Sequence, residues 1–169
     1  MAWTTPKTWQ TAELVTAALL NTHVRDNLNI LAAPALTVVT YRAGSDYVAT
    51  STSFADVDAT NLAGSITLTF ATRIRFTVAL AATYAAVSGT YGAWDILVDG
   101  TTRVGNATYG LGQCTTVYGS GNFTTSGIIT GLTAGAAHTF KLQFKETNAA
   151  DTLTLLNTSH YITIIAEEV

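Results

Sequence analysis

A chain of 169 residues is the size of one domain, or of one domain with an appendage, and can bury a core without disulfides or metals. It is 48% hydrophobic but only 11% charged, against roughly 25% charged in an average soluble domain, so much of its surface is expected to lie against other chains. A net charge of −3, with cations scattered singly except for Arg73 and Arg75, excludes a basic nucleic-acid-binding face. No apolar run approaches the roughly 18 residues of a membrane span, and the lone Cys114 excludes a disulfide within the chain.

In chain order, residues 1–10 are Thr-rich and carry Trp3 and Trp9 around Pro6, too short a stretch to make a core. Each ring either caps a groove on its own domain or anchors an arm in a partner, since Trp combines a large buried area with few rotors to freeze. Residues 1–12 lack the basic start and apolar centre of a secretory segment, so synthesis in the cytosol is expected. Leu20, Val24, Leu28 and Leu31 recur at steps of four, four and three, which predicts a helix over 12–31. Glu13 is expected in its first turn and Pro34 closes the segment. An isolated helix of this length is marginal in water, so its stripe must rest on the rest of the chain or on another molecule.

From Leu36 onward the period is two. Residues 66–70, 74–80 and 140–145 alternate apolar and polar side chains, as strands with one wet face do. Asp99-Gly100 predicts a tight type I′ hairpin turn, and residues 160–169 a central closing strand. Residues 44–61 read as two short strands about a turn, and the glycine-rich stretch 105–127 as bent or bulged strands. Eight to ten strands at this regular spacing predict a mainly β fold, a sandwich or a barrel.

The opening residues also carry a resemblance. The run "WTTPKTWQTAELVTAALLNTHVRDNLNIL", through Trp3, Pro6, Trp9, Leu20, Asn21, Thr22, His23, Arg25, Asp26 and Asn27, is similar to an N-terminal module of tailed-bacteriophage virion proteins. The remainder resembles, in pattern, the jelly-roll domains of head fibres, capsid decoration proteins and tail-fibre tips. The resemblance implies a jelly-roll-like antiparallel β-sandwich at 34–169, preceded by an extended arm and one short α-helix at 1–33 that serve attachment or assembly. It further implies a homotrimer bound to a major capsid protein or another virion protein, localised in the virion. Trp3, Pro6, Trp9, Leu20, Val24, Leu28 and Leu31 are then the attachment residues.

Residues able to do chemistry are sparse. His23, His138 and His160 share no metal-ligand spacing, and one Cys cannot complete a zinc site with them. Asp56, Asp58 and Asn61 offer oxygen ligands for calcium, or else Asp56 and Asp58 share a wet strand face opposite Arg73 or Arg75. Tyr91, Trp94, Tyr109 and Tyr118 are either core and interface or a surface for a host glycan. No catalytic residue, metal or cofactor is expected. The sequence therefore points to a non-enzymatic virion protein of the decoration or head-fibre type, with a tail-fibre adhesin as the alternative.

Overall fold

The computed structural model of the chain describes residues 4–49, 51–85, 90–115 and 120–169. An extended arm leads into a helix built of α1 (Ala17–Leu20), a π-helical stretch (Asn21–Arg25) and α2 (Asp26–Ala32). The strands that follow are β1 (Leu36–Tyr41), β2 (Tyr47–Ala49), β3 (Ala55–Asp56), β4 (Ala63–Thr67), β5 (Arg73–Ala85) and β6 (Tyr91–Val98). The rest are β7 (Thr102–Arg103), β8 (Gly112–Thr115), β9 (Ser120–Thr130), β10 (Ala137–Glu146), β11 (Thr152–Leu155) and β12 (Ile162–Glu168).

Pairing joins these segments into longer runs. β1 and β2 lie beside β12 and β11, which in turn flank β5, and β9 closes the far side of β5. In the other sheet β4 and β3 pair with β10, β10 with β6, and β6 with β7 and β8. Counted as runs, one sheet is ordered first, eighth, third, sixth and the other second, seventh, fourth, fifth. This antiparallel order is that of a jelly-roll sandwich.

Alternation decides which side chains meet between the sheets. Ile74, Phe76, Val78 and Leu80 of β5 face Phe140, Leu142 and Phe144 of β10, with Ile162 and Ile164 of β12 beside them. Phe76 and Phe140 meet edge to face at 5.3 Å. Burying each such side chain stabilises the fold by about 1.5–3 kcal/mol. Trp94 is wholly buried, donates from Nε1 to Thr125 Oγ1 at 3.1 Å, and packs on Phe123. Gly112 makes room for it, because a Cβ there would fall 2.5 Å from the indole.

Three expectations are corrected. The helix begins at Ala17 rather than at residue 12. Thr16 caps it, its hydroxyl accepting from Leu19 N at 3.2 Å, and Ala12 at φ 64° breaks the chain just before. Glu13 thus lies outside the helix, and Leu14 and Val15 form no earlier turn. The Asp99-Gly100 turn has the two positive φ values that type I′ requires, 50° and 69°. Its strands close at Val98 opposite Thr102, leaving three loop residues instead of two. Finally, β10 has no simple wet face: Gln143 and Lys145 point away from the core yet are buried, because the chain around 104–111 folds over that side. There Gly105 N donates to Asp95 Oδ1 at 2.8 Å and Lys145 Nζ to Ala107 O at 3.3 Å.

Candidate assembly segment

The arm is shaped by a few polar contacts. Glu13 forms an ion pair with Lys7 and accepts from Gln10 N at 3.2 Å. The Lys7 hydrogen bond, then that of Gln10, holds the Glu13 carboxyl below its usual range. Lys7 Nζ sits 5.5 Å from the Trp9 ring centroid. Further along, the buried side chain of Asn27 clasps the arm's start. Thr4 N donates to Asn27 Oδ1 at 3.0 Å, while Asn27 Nδ2 donates to Thr4 O at 2.7 Å. That two-way bond folds the arm back along the helix.

The helix presents its predicted stripe to solvent. Leu20, Val24, Leu28 and Leu31 are 43–58% exposed, Leu14 is 80% exposed, and Trp9 is 39% exposed. Among the described residues these segments form one continuous helix that makes no extensive contact with a strand. A π-helical stretch widens the turn at Asn21–Arg25, where Asp26 N reaches back five residues to Asn21 O. Pro6 is exposed as well, and Trp3 lies outside the described residues. Asn27, singled out in the sequence only as part of the motif, proves to be the residue that organises the arm. Nothing in the local sequence sets it apart from Asn21 and Asn29 of the same helix.

At the other end of this segment, Glu168 fixes its root to the sandwich. Its buried carboxylate accepts from Ala35 N at 3.0 Å, from Thr69 Oγ1 at 2.6 Å, and from the N–H groups of Thr69, Phe70 and Ala71 at 2.8 Å each. Burial pushes its pKa up, but these donors outweigh it and hold the group at about 2. A single side chain thereby ties the connector before β1 to the loop before β5.

The remaining candidates resolve into structural roles. Asp58 follows β3 in a turn instead of lying in a strand with Asp56. It accepts from Tyr47 Oη at 2.5 Å and from Thr60 N, Asn61 N and Asn61 Nδ2 at 2.9 Å each. Burial would raise its pKa, yet the Tyr47, Asn61 and Thr60 donors depress it far below the carboxylate norm. Asp56 pairs with Lys141 Nζ at 2.9 Å and accepts from Gln143 Nε2 at 2.6 Å. Protein donors thus occupy both acids, and Asn61 offers Asp58 its donor end, which argues against a shared calcium site. Arg75 pairs with Glu167 and Arg73 bonds Val169 O, so neither faces these acids. His138 is held between Asp99 Oδ2 at 2.7 Å and Thr133 O at 3.1 Å. Among the described residues no three His, Cys, Asp or Glu side chains cluster to hold a metal. No described helix is long and apolar enough to cross a membrane. Cys114 is buried, and burial pushes its thiol pKa up.

Of the candidate ligand surface, Trp94 is excluded, since it is wholly buried in the core. Tyr91 and Tyr109 do come together, their ring centroids 5.5 Å apart, with Tyr109 55% exposed. Tyr118 lies outside the described residues. Neither a protein-family model nor a curated protein matches the chain.

Proposed function

We propose that the chain is a non-enzymatic structural protein of a tailed-phage virion, a homotrimeric decoration or head-fibre protein held in the particle by its arm and helix. One observation carries this reading. An apolar stripe of Leu20, Val24, Leu28 and Leu31 stands exposed on a helix that, among the described residues, makes no extensive contact with a strand, and a short isolated helix with such a surface is stabilised by burying it against another molecule. The Asn27 clasp supports it, because an arm already folded on its helix loses less entropy on docking. The resemblance of residues 3–31 to virion modules supplies the setting, and a major capsid protein or another virion protein supplies the partner. Deleting residues 1–33 and probing purified particles for the chain tests it. Loss of incorporation is expected, and normal incorporation would overturn the proposal.

The adhesin reading keeps one specific observation, the exposed Tyr109 beside Tyr91 with their rings tilted at 37°, a pair able to meet a sugar. Glycan-array binding abolished by Tyr109→Ala would favour it. Binding that survives the change would remove this site.

A further inference from the structure

We infer that the outer face of the β1–β12–β5–β9 sheet is the surface through which copies of this chain pack on one another, with their helices parallel. This rests on the structural-protein reading, which already makes the chain a trimer, and adds to it the face through which the copies meet.

The first observation is segregation of apolar side chains. Among the described residues, the exposed large apolar side chains of the β domain are Leu36, Val38, Val48, Ile128, Tyr161 and Tyr109; Leu36, Val38, Ile128 and Tyr161 belong to this face, and Val48 lies on β2 farther along the same sheet. The register lays them out in rows across the sheet: Leu36, Glu167, Arg75, Ile128; then Val38, Ile165, Thr77, Ser126; then Thr40, Thr163, Ala79, Thr124.

The second is segregation of charge. Within those rows the charges are Arg75 and Glu167, paired at 2.6 Å, and the next row along β5 adds the exposed Arg73, which donates to Val169 O. The outer side of the opposite sheet instead carries Asp56, Lys141, Asp95, Arg103 and Lys145. A face that meets its own copy must not repel itself, and a neutral surface of Val, Ile, Thr, Ser and Ala meets that condition.

Area then brings in the helix. Four runs about 4.8 Å apart and seven residues at about 3.3 Å each cover roughly 300 Å², whereas a stable interface takes about 800 Å² from each partner. The sheet face alone falls short. Leu28 and Leu31 on α2 lead through the connector straight to Leu36 and Val38 on β1, so stripe and face are continuous along the chain. Cyclic packing with parallel helices would leave every arm at the same end, where all of them can reach one particle surface. A two-fold antiparallel pair would strand one arm.

Sedimentation velocity of the full chain tests this. The wild type is expected to sediment as an oligomer of the 17.8 kDa chain. The doubly substituted Val38→Asp/Ile128→Asp chain is expected as a monomer with unchanged circular dichroism, and Thr67→Asp, on the opposite sheet, as an oligomer. The milder Val38→Thr/Ile128→Thr chain keeps β-branching at Val38 and should associate more weakly than the wild type by at least tenfold. A wild type that is monomeric alone, or that associates only with another virion protein, overturns the inference. So does a folded Asp double variant that remains oligomeric. Particle incorporation scores the attachment reading separately: a wild type that enters particles yet sediments as a monomer overturns the face and the trimer and leaves attachment by the arm and helix standing.

Discussion

Replacing Glu168 by Gln tests the link between the attachment segment and the sandwich. The substitution keeps the volume but removes the charge and turns one acceptor into an NH2 group. Whichever way the amide is turned, it confronts donors: Ala35 N and Thr69 Oγ1 on one side, or the N–H groups of residues 69–71 on the other. With the NH2 towards Ala35 the Thr69 hydroxyl can turn to accept, so at least one buried donor is left unmet, at a cost of about 1–3 kcal/mol. Linkage gives a second route to the magnitude. A carboxylate lowered from 4.5 to about 2 contributes about 3 kcal/mol at neutral pH. Because the folded-state pKa is depressed, that contribution is complete above pH 4.5 and is lost as pH falls from there to about 2. Urea unfolding at pH 7 should therefore show Glu168→Gln destabilised by about 3 kcal/mol, with Tm lowered by roughly 6–12 °C for a domain of this size. The gap should narrow towards pH 2. A loss below about 1 kcal/mol at pH 7, or a gap independent of pH, would refute the reasoning.

Other changes separate packing from attachment. Trp94→Ala removes a wholly buried ring and its bond to Thr125, and should cost about 4 kcal/mol in urea unfolding, because the residue fills the core and is not presented to a ligand. Asn27→Ala removes the two-way bond to Thr4, so hydrogen exchange at the Thr4 amide should accelerate about tenfold or more while Tm barely moves. Gly112→Ala places a methyl group against the Trp94 indole and should destabilise the fold by about 1–3 kcal/mol, read by the same unfolding assay.

Where side-chain period alone decides structure, the sequence was legible. The alternation of Ile74, Phe76, Val78 and Leu80 places β5 in the core, and the run ending at Glu168 forms the central β12. Asp99-Gly100 marked its turn, since few residue pairs accept two positive φ values. What escaped depends on partners far apart in sequence. Gln143 and Lys145 read as wet because the chain that covers them, around residue 107, is some forty residues away. Glu168 drew no notice within its closing strand, because its five donor bonds arrive from residues 35 and 69–71. Asp58 paired with its own turn and with Tyr47, which spacing alone could not distinguish from a strand face shared with Asp56. The helix stripe was visible, but its start was not: Thr16, a single hydroxyl cap, outweighed the apolar Leu14 and Val15 ahead of it.

The central claim is that the exposed helix stripe joins the chain to other molecules of the virion. A direct measurement is to express Leu20→Asp/Val24→Asp/Leu28→Asp in place of the wild type and to quantify the chain in purified particles. These positions are exposed in the single chain, so the variant should keep the circular dichroism of the wild type while the chain disappears from the particles. Normal abundance of the folded triple variant in particles would contradict the account.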